Sequence, residues 1–309
     1  MPAPRTTGRP RRTGRSKGDG PVAYLFMTPW LLGMAGLTLG PMLASLYLSF
    51  TDYNLFSPPE WVGFDNYRQM IGDEQFLQAS KVTGVYVVLA TPLKLAAALA
   101  VAMMLVRRRR GIGLYRSAFY APSLIGASVG VAIVWRALFS DGGVQDSAMS
   151  TVGLDTGGWI GNPDYSLLML VLLAIWQFGA PMVIFMAGLM QVPTELYEAA
   201  EVDGAGPWRR FWRITVPMIS PVIFFNLLRE TIHAFQVFAS AYVISTGDGR
   251  PAGSTLLYTL HLYRRAFTDF RMGYASAMAW TLLAVVGVIT VLMFRISRTR
   301  VHYAGEDDR

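Results

Sequence analysis

The chain has 309 residues, 53% of them hydrophobic and only 15% charged, and its formal net charge is +7. A soluble domain carries roughly 25% charged residues; here the charges cluster between long apolar stretches, the pattern of a polytopic membrane protein. Cysteine is absent and the three histidines (His233, His261, His302) lie far apart, which excludes disulfides, thiolate metal sites and cysteine nucleophiles.

Residues 1–20 are rich in Arg, Gly, Pro and Thr and are expected to be a disordered basic arm. The apolar run behind them is too long for a signal-peptide core and ends without a small-residue cleavage site. It reads as an uncleaved first span over about 22–50, with Pro41 as a point of bending. A membrane crossing needs about 20 mostly apolar residues. By that measure further spans fall at about 82–106, 117–139, 166–190, 217–244 and 273–294. The second is interrupted by Lys94. The third carries Arg136, expected to snorkel at its outer end, and the fifth carries Arg229 and Glu230.

Short loops rich in Lys and Arg face the cytoplasm. Arg107–Arg110 with Arg116, then Arg209, Arg210 and Arg213, and last Arg295, Arg298 and Arg300 mark that side. The loop 140–165 holds aspartates and no base, which marks the outer side. Six spans with both termini cytoplasmic, in a cell membrane, satisfy every segment except 246–272, where Arg250, Arg264, Arg265 and Arg271 lie on the outer side. The net positive charge thus reports topology and contact with membrane lipids, not nucleic acid. The Arg107–Arg110 run is first a topology determinant, with anionic-lipid binding as a second role.

The cytoplasmic stretch 191–216 is more than a connector. Thr194 is placed to N-cap a short helix with Glu195 at its positive end. Gly204 suits a left-handed stop, and Pro207 suits the first turn of a second helix. Trp208, Phe211 and Trp212 then share one face.

Within this stretch, Glu198-Ala199-Ala200, Asp203-Gly204-Ala205, Ile214 and Pro217 resemble the EAA signature of binding-protein-dependent ABC importer permeases, in the form of the sugar-importer branch. Val216 stands where that family often has Leu. Weaker similarities extend from about Tyr24 to Arg295: Leu48–Tyr53, Val62–Tyr67, Tyr120–Ser123, Ala187–Leu189 and Gly273–Ala277. The loop 246–251 has one residue more than the family pattern.

The resemblance implies an all-α type I ABC importer permease fold over 21–296, a coupling helix in the 191–216 loop, and a cytoplasmic tail over 297–309. It implies a transport subunit, not an enzyme, of a sugar importer of the maltose or glycerol-phosphate type. Its partners would be a second permease chain, two ATPase subunits and an extracytoplasmic solute-binding protein. No cofactor is expected on this chain, since ATP and magnesium belong to the ATPase and no phosphate-binding loop is present. Glu198, Ala199, Ala200, Asp203, Gly204, Ile214 and Pro217 would form the coupling contact.

Ionisable groups inside a membrane are costly and face a bundle interior or water. Lys94, Gln177, Asn226, Glu230, His233 and Gln236 are therefore candidates for the translocation path, with interhelical ion pairs and hydrogen bonds as the competing role. Glu230 and His233 make one E-x-x-H, and a di-iron bundle would need a second copy, so no metal site is expected. A glycerol-phosphate cargo, a membrane-embedded enzyme and a non-catalytic assembly subunit are the other readings. The enzyme would need clustered carboxylates or a nucleophile–base pair.

Overall fold

The computed structural model describes residues 19–106, 111–126, 128–151, 153 and 158–297. The Arg107–Arg110 run, nearly all of the basic arm and all but Ser297 of the tail lie outside them. The chain divides into two compact units, one up to Tyr47 and one from Leu48 onward.

The described part of the first unit is helical: Asp19–Gly33 (α1), a wide π turn over Met34–Leu39, and Gly40–Leu48 (α2), whose last residue opens the second unit. Pro41 has no N–H and would crowd the carbonyl four residues back. The preceding turn widens, and the Gly40 N–H reaches Ala35 O.

The second unit continues with a two-residue antiparallel pair, Thr51–Asp52 (β1) and Glu60–Trp61 (β2), then Asp65–Gly72 (α3) and the long Glu74–Val106 (α4). Next come Ile112–Ile125 (α5), Val129–Phe139 (α6), Val144–Thr151 (α7), Pro163–Trp176 (α8) and Gly179–Leu189 (α9). The 191–216 loop holds Thr194–Val202 (α10), Pro207–Arg210 (α11) and a π turn over Phe211–Thr215. Val216–Met218 (α12), Ser220–Phe235 (α13), Ala239–Ile244 (α14), Tyr258–Tyr263 (α15), a π turn over Arg264–Thr268 and Met272–Ser297 (α16) complete the described chain.

Tyr24–Leu48, α4 and α16 are each long and apolar enough to cross a membrane, and three bent pairs raise the number to six if each is one span. Helix starts earlier than expected on α4, because Asp73 Oδ1 accepts the backbone N–H groups of Gln75 at 2.9 Å and Phe76 at 3.3 Å and so caps two polar turns ahead of the apolar run. The expected third, fourth and fifth spans are not single helices. Ser128 caps a fresh start at α6 by accepting the Val131 N–H. α8 and α9 meet at 44°, ahead of Pro181, which cannot donate to the turn before it. Residues 236–238 leave the helix between α13 and α14.

α4 is the axis of the core. Its first half, Ala79 to Ala90, packs against Met169–Leu173 of α8, Ala241 and Ile244 of α14, and Leu256–Leu260. Leu95, Ala98, Ala102 and Leu105 pack against Met182, Phe185, Met186 and Leu189 of α9. Ala98 and Ala102, one turn apart, let the helices approach closely. Arg136 Nη1 donates to Val243 O at 3.4 Å, beside the end of α14.

The four arginines that broke the charge rule are tied into this fold. Arg265 Nη2 donates to Asp73 Oδ2 at 2.8 Å, and its Nη1 donates to Asp269 at 3.1 Å. Arg264 donates to Asp248 O, Arg250 pairs with Asp248, and Arg271 donates to Gln69 and covers the Tyr274 ring. At the start of α16, a Cβ on Gly273 would stand 2.0 Å from Thr51 O, so only glycine allows β1 to lie against that helix.

His261 sits in this corner, 1% exposed, with Nε2 3.9 Å from Asp73 Oδ2 and no hydrogen bond to either ring nitrogen among the described residues. Burial, and then the nearby Arg265, push its pKa down to about 4. Burial alone would raise the Asp73 carboxyl, but the Tyr274 hydroxyl, backbone N–H groups and Arg265 together hold it below its ordinary value. Between pH 6.5 and about 4 the unfolded chain therefore binds a proton at residue 261 that the folded chain does not, so stability falls as pH falls through that window. The loss is on the order of 3 kcal/mol. Thermal unfolding in detergent at pH 7 and pH 4.5 should show a smaller acid shift for His261→Phe than for the parent; equal shifts would rule His261 out as the source.

Candidate functional site

A cavity of about 280 Å3 opens between α4, α8, α13 and the non-helical residues after α13. Tyr86, Ala90 and Lys94 line it from one face of α4, at four-residue spacing, with Thr91 beside them. Leu170, Leu173, Ala174 and Gln177 come from the end of α8, and Glu230, His233 and Ala234 from α13. Gln236 to Ser240 close the wall where the helix has stopped. In lipid, non-helical backbone survives only where it is buried in protein or lines an aqueous cavity. Here the freed Val237 carbonyl accepts the Thr259 hydroxyl at 2.5 Å.

Five of the six candidate path residues, Lys94, Gln177, Glu230, His233 and Gln236, meet at this cavity. Lys94 Nζ lies 2.7 Å from Glu230 Oε2, with both side chains almost fully buried. Arg229 Nη2 reaches the other carboxylate oxygen, Oε1, at 2.5 Å. One carboxylate thus serves two cations, one inside the wall and one half-exposed beyond it. Asn226 is not on the wall. It is fully buried one turn away, and its Nδ2 donates to Pro181 O at 3.5 Å. Gln177 is on the wall but committed, since its Nε2 donates to Gly126 O at 3.1 Å. Ser123 Oγ donates to Gln177 O at 3.0 Å and accepts the Ala180 N–H at 3.1 Å. The break in the α5–α6 pair is thereby tied to the break in the α8–α9 pair.

Tyr86, Thr91, Phe238 and Ser240 were not anticipated. Tyr86 was legible as the residue two turns before Lys94 on the same face. Thr91 keeps a buried hydroxyl with no partner among the described residues, a free polar group at the edge of the cavity. Nothing in the sequence announces Phe238 and Ser240, which face the cavity only because the helix ends at Phe235.

The second candidate region is the 191–216 loop. Pro193, not Thr194, takes the N-cap position of α10, so Thr194 is the first helical residue and makes no cap bond. Glu195 lies in the first turn as expected. The stop is a Schellman motif: Ala205 N–H bonds Ala200 O at 2.8 Å, Gly204 N–H bonds Glu201 O at 3.0 Å, and Gly204 has φ +71°. Pro207 opens α11. Glu198, Ala199, Asp203 and Gly204 are exposed, Ala200 is half-buried, and Ile214 packs into the core beside Tyr197, near Pro217. Tyr197 Oη and Thr215 Oγ1 are 2.9 Å apart, and Arg210 pairs with Glu201 at 3.1 Å, so the two short helices are clasped together.

The family described as "Binding-protein-dependent transport system inner membrane component" matches residues 76–303. The chain is 48% identical over 292 residues to the probable ABC transporter permease protein YesP of Bacillus subtilis (strain 168), covering 94% of each chain. It is 30% identical over 283 residues to the lactose transport system permease protein LacF of Rhizobium radiobacter, covering 90% of this chain and 94% of that one. Among solved structures, a chain of a bacterial ABC transporter that imports the acidic polysaccharide alginate shares the fold, with a TM-score of 0.78, 23% identity, and 90% and 95% of the two chains covered.

Proposed function

The chain belongs to the family of binding-protein-dependent transport system inner membrane components, and from that premise we propose that it forms one half of the translocation path of an ATP-driven sugar importer. It is a multi-pass membrane permease, a transport subunit and not an enzyme. The sugar cargo follows from relatives such as the lactose permease. The single observation that carries the path is the cavity where helix breaks and the buried Lys94–Glu230 pair meet inside a largely apolar bundle.

Both termini face the cytoplasm in this reading, and α10 is the coupling helix. Glu198 and Asp203 are its polar contacts with the ATPase, and Ala199 and Ala200 allow close approach. Closure of two ATPase subunits on ATP draws the coupling helices together, and the helices around the cavity move between inward-open and outward-open states. A second permease chain completes the path, and an external binding protein delivers the sugar.

Purification of the tagged chain in mild detergent tests this. A second multi-pass chain and an ABC ATPase in about twofold molar amount over this chain's complex should accompany it, and ATP should drive sugar uptake once the complex and its binding protein are in vesicles. A chain that purifies alone, even after crosslinking at Glu198, would overturn the assignment.

A further inference from the structure

The 191–216 loop is split by charge. α10 carries Glu195, Glu198 and Glu201 and no base, whereas residues 207–218 carry Arg209, Arg210 and Arg213 and no acid. The second segment runs helically as Pro207–Met218 and meets α13 at 71°. With α13 at the average tilt of a spanning helix, about 20° from the bilayer normal, this segment lies within roughly 40° of the membrane plane. It sits directly ahead of the helix that enters the membrane.

Its side chains sort by face. Ile214 and Met218 pack into the core, and Thr215 is buried against Tyr197. Trp208 and Trp212 are 73% and 52% exposed, an uncommon state for tryptophan. They join Phe211 in one aromatic ridge, with ring centroids 5.0 to 5.9 Å apart. Arg209 and Arg213 are exposed, one turn apart, and have no ion-pair partner among the described residues; Arg210 is occupied by Glu201. Exposed tryptophans flanked by free arginines, on a helix near the membrane plane, are the composition of an interfacial segment.

We propose that Pro207–Met218 docks on the cytoplasmic surface of the bilayer, with Trp208 and Trp212 at the headgroup level and Arg209 and Arg213 on anionic headgroups. The same surface charge repels the glutamates of α10 and leaves that helix to the ATPase. The two halves of the loop thus have different partners, and the clasp between them carries ATPase motion to a fulcrum fixed in the membrane. The inference rests on the cytoplasmic placement of the loop in the reading above.

The lack of cysteine in this chain allows a clean spin label. A nitroxide on Trp212→Cys, in the assembled importer with cysteine-free partners in lipid nanodiscs, should be relaxed more by oxygen than by a water-soluble nickel chelate. A label equally open to both lies in water, and a label shielded from both is covered by protein such as the ATPase; either result overturns the proposal. Vesicles containing phosphatidylglycerol should support severalfold faster uptake than phosphatidylcholine vesicles, and Arg209→Gln with Arg213→Gln should remove that gain. A gain unchanged in the double variant overturns the headgroup contact. A second label on Glu198→Cys reports the underlying reading separately, since ATPase binding should shield it whatever the depth of residue 212.

Discussion

Gly204→Val in the assembled importer is expected to lower ATP-driven uptake by about tenfold or more while leaving the chain inserted and assembled. Gly204 sits at φ +71°, and its N–H and that of Ala205 close the Schellman stop of α10. An L residue in the left-handed region costs roughly 1–2 kcal/mol, and a β-branched one is worse placed still. A Cβ at residue 204 meets nothing within 4 Å in this chain, so crowding is not the cause. The strain is relieved by unwinding the stop, and Glu198 and Asp203 then lose their fixed direction. A shift of about 1.4 kcal/mol in the productive arrangement is already a factor of ten. Asparagine tolerates this conformation best among side chains, so uptake should rank Gly, Asn, Ala, Val. Uptake and ATP hydrolysis measured together on the four proteins check this. A valine protein that assembles and transports at the parental rate would show that the turn plays no part in coupling.

The long apolar helices were legible because the hydrocarbon layer imposes a length and forbids charge, and both can be counted along a chain. The stop at Gly204 was legible for a similar reason, since a glycine between a helix-forming run and Pro207 has few other uses. The helix breaks were legible unevenly. Pro181 signals the break after Gln177, and Gly126 with Ser128 signals the one before α6. Residues 236–238 read Gln-Val-Phe, with neither proline nor glycine. That break depends on a carbonyl satisfied by Thr259, more than twenty residues downstream, and no local pattern carries it.

The candidate site shows the same division. Charge in a membrane segment singled out Lys94 and Glu230, and helical spacing put Asn226, Glu230 and His233 on one face. Spacing cannot say how deep a face lies, and Asn226 is buried below the cavity wall while Glu230 and His233 reach it. The His261 corner escaped notice because its partner, Asp73, is nearly two hundred residues away in sequence and belongs to the cap of another helix.

Glu230→Leu should destabilise the folded chain by about 3–5 kcal/mol, because it strands Lys94 in a site where that side chain is only 10% exposed. Lys94→Met should cost clearly less, since Arg229 still holds the Glu230 carboxylate at 2.5 Å. The double variant should regain much of the lost stability, because it leaves no charge stranded in the buried wall and only the half-exposed Arg229 without its partner. Stability therefore separates into a pairing effect that the double variant repairs. Uptake should not follow it. If the pair lines the path, the repaired protein has lost two groups that meet sugar hydroxyls, and its uptake should stay at least about tenfold below the parent. Denaturant titration in detergent and uptake in vesicles, run on all four proteins, decide between the roles. Recovery of both stability and uptake in the double variant would make Lys94 and Glu230 a structural clamp and move the path elsewhere on the cavity wall, to Thr91, His233 and Gln236.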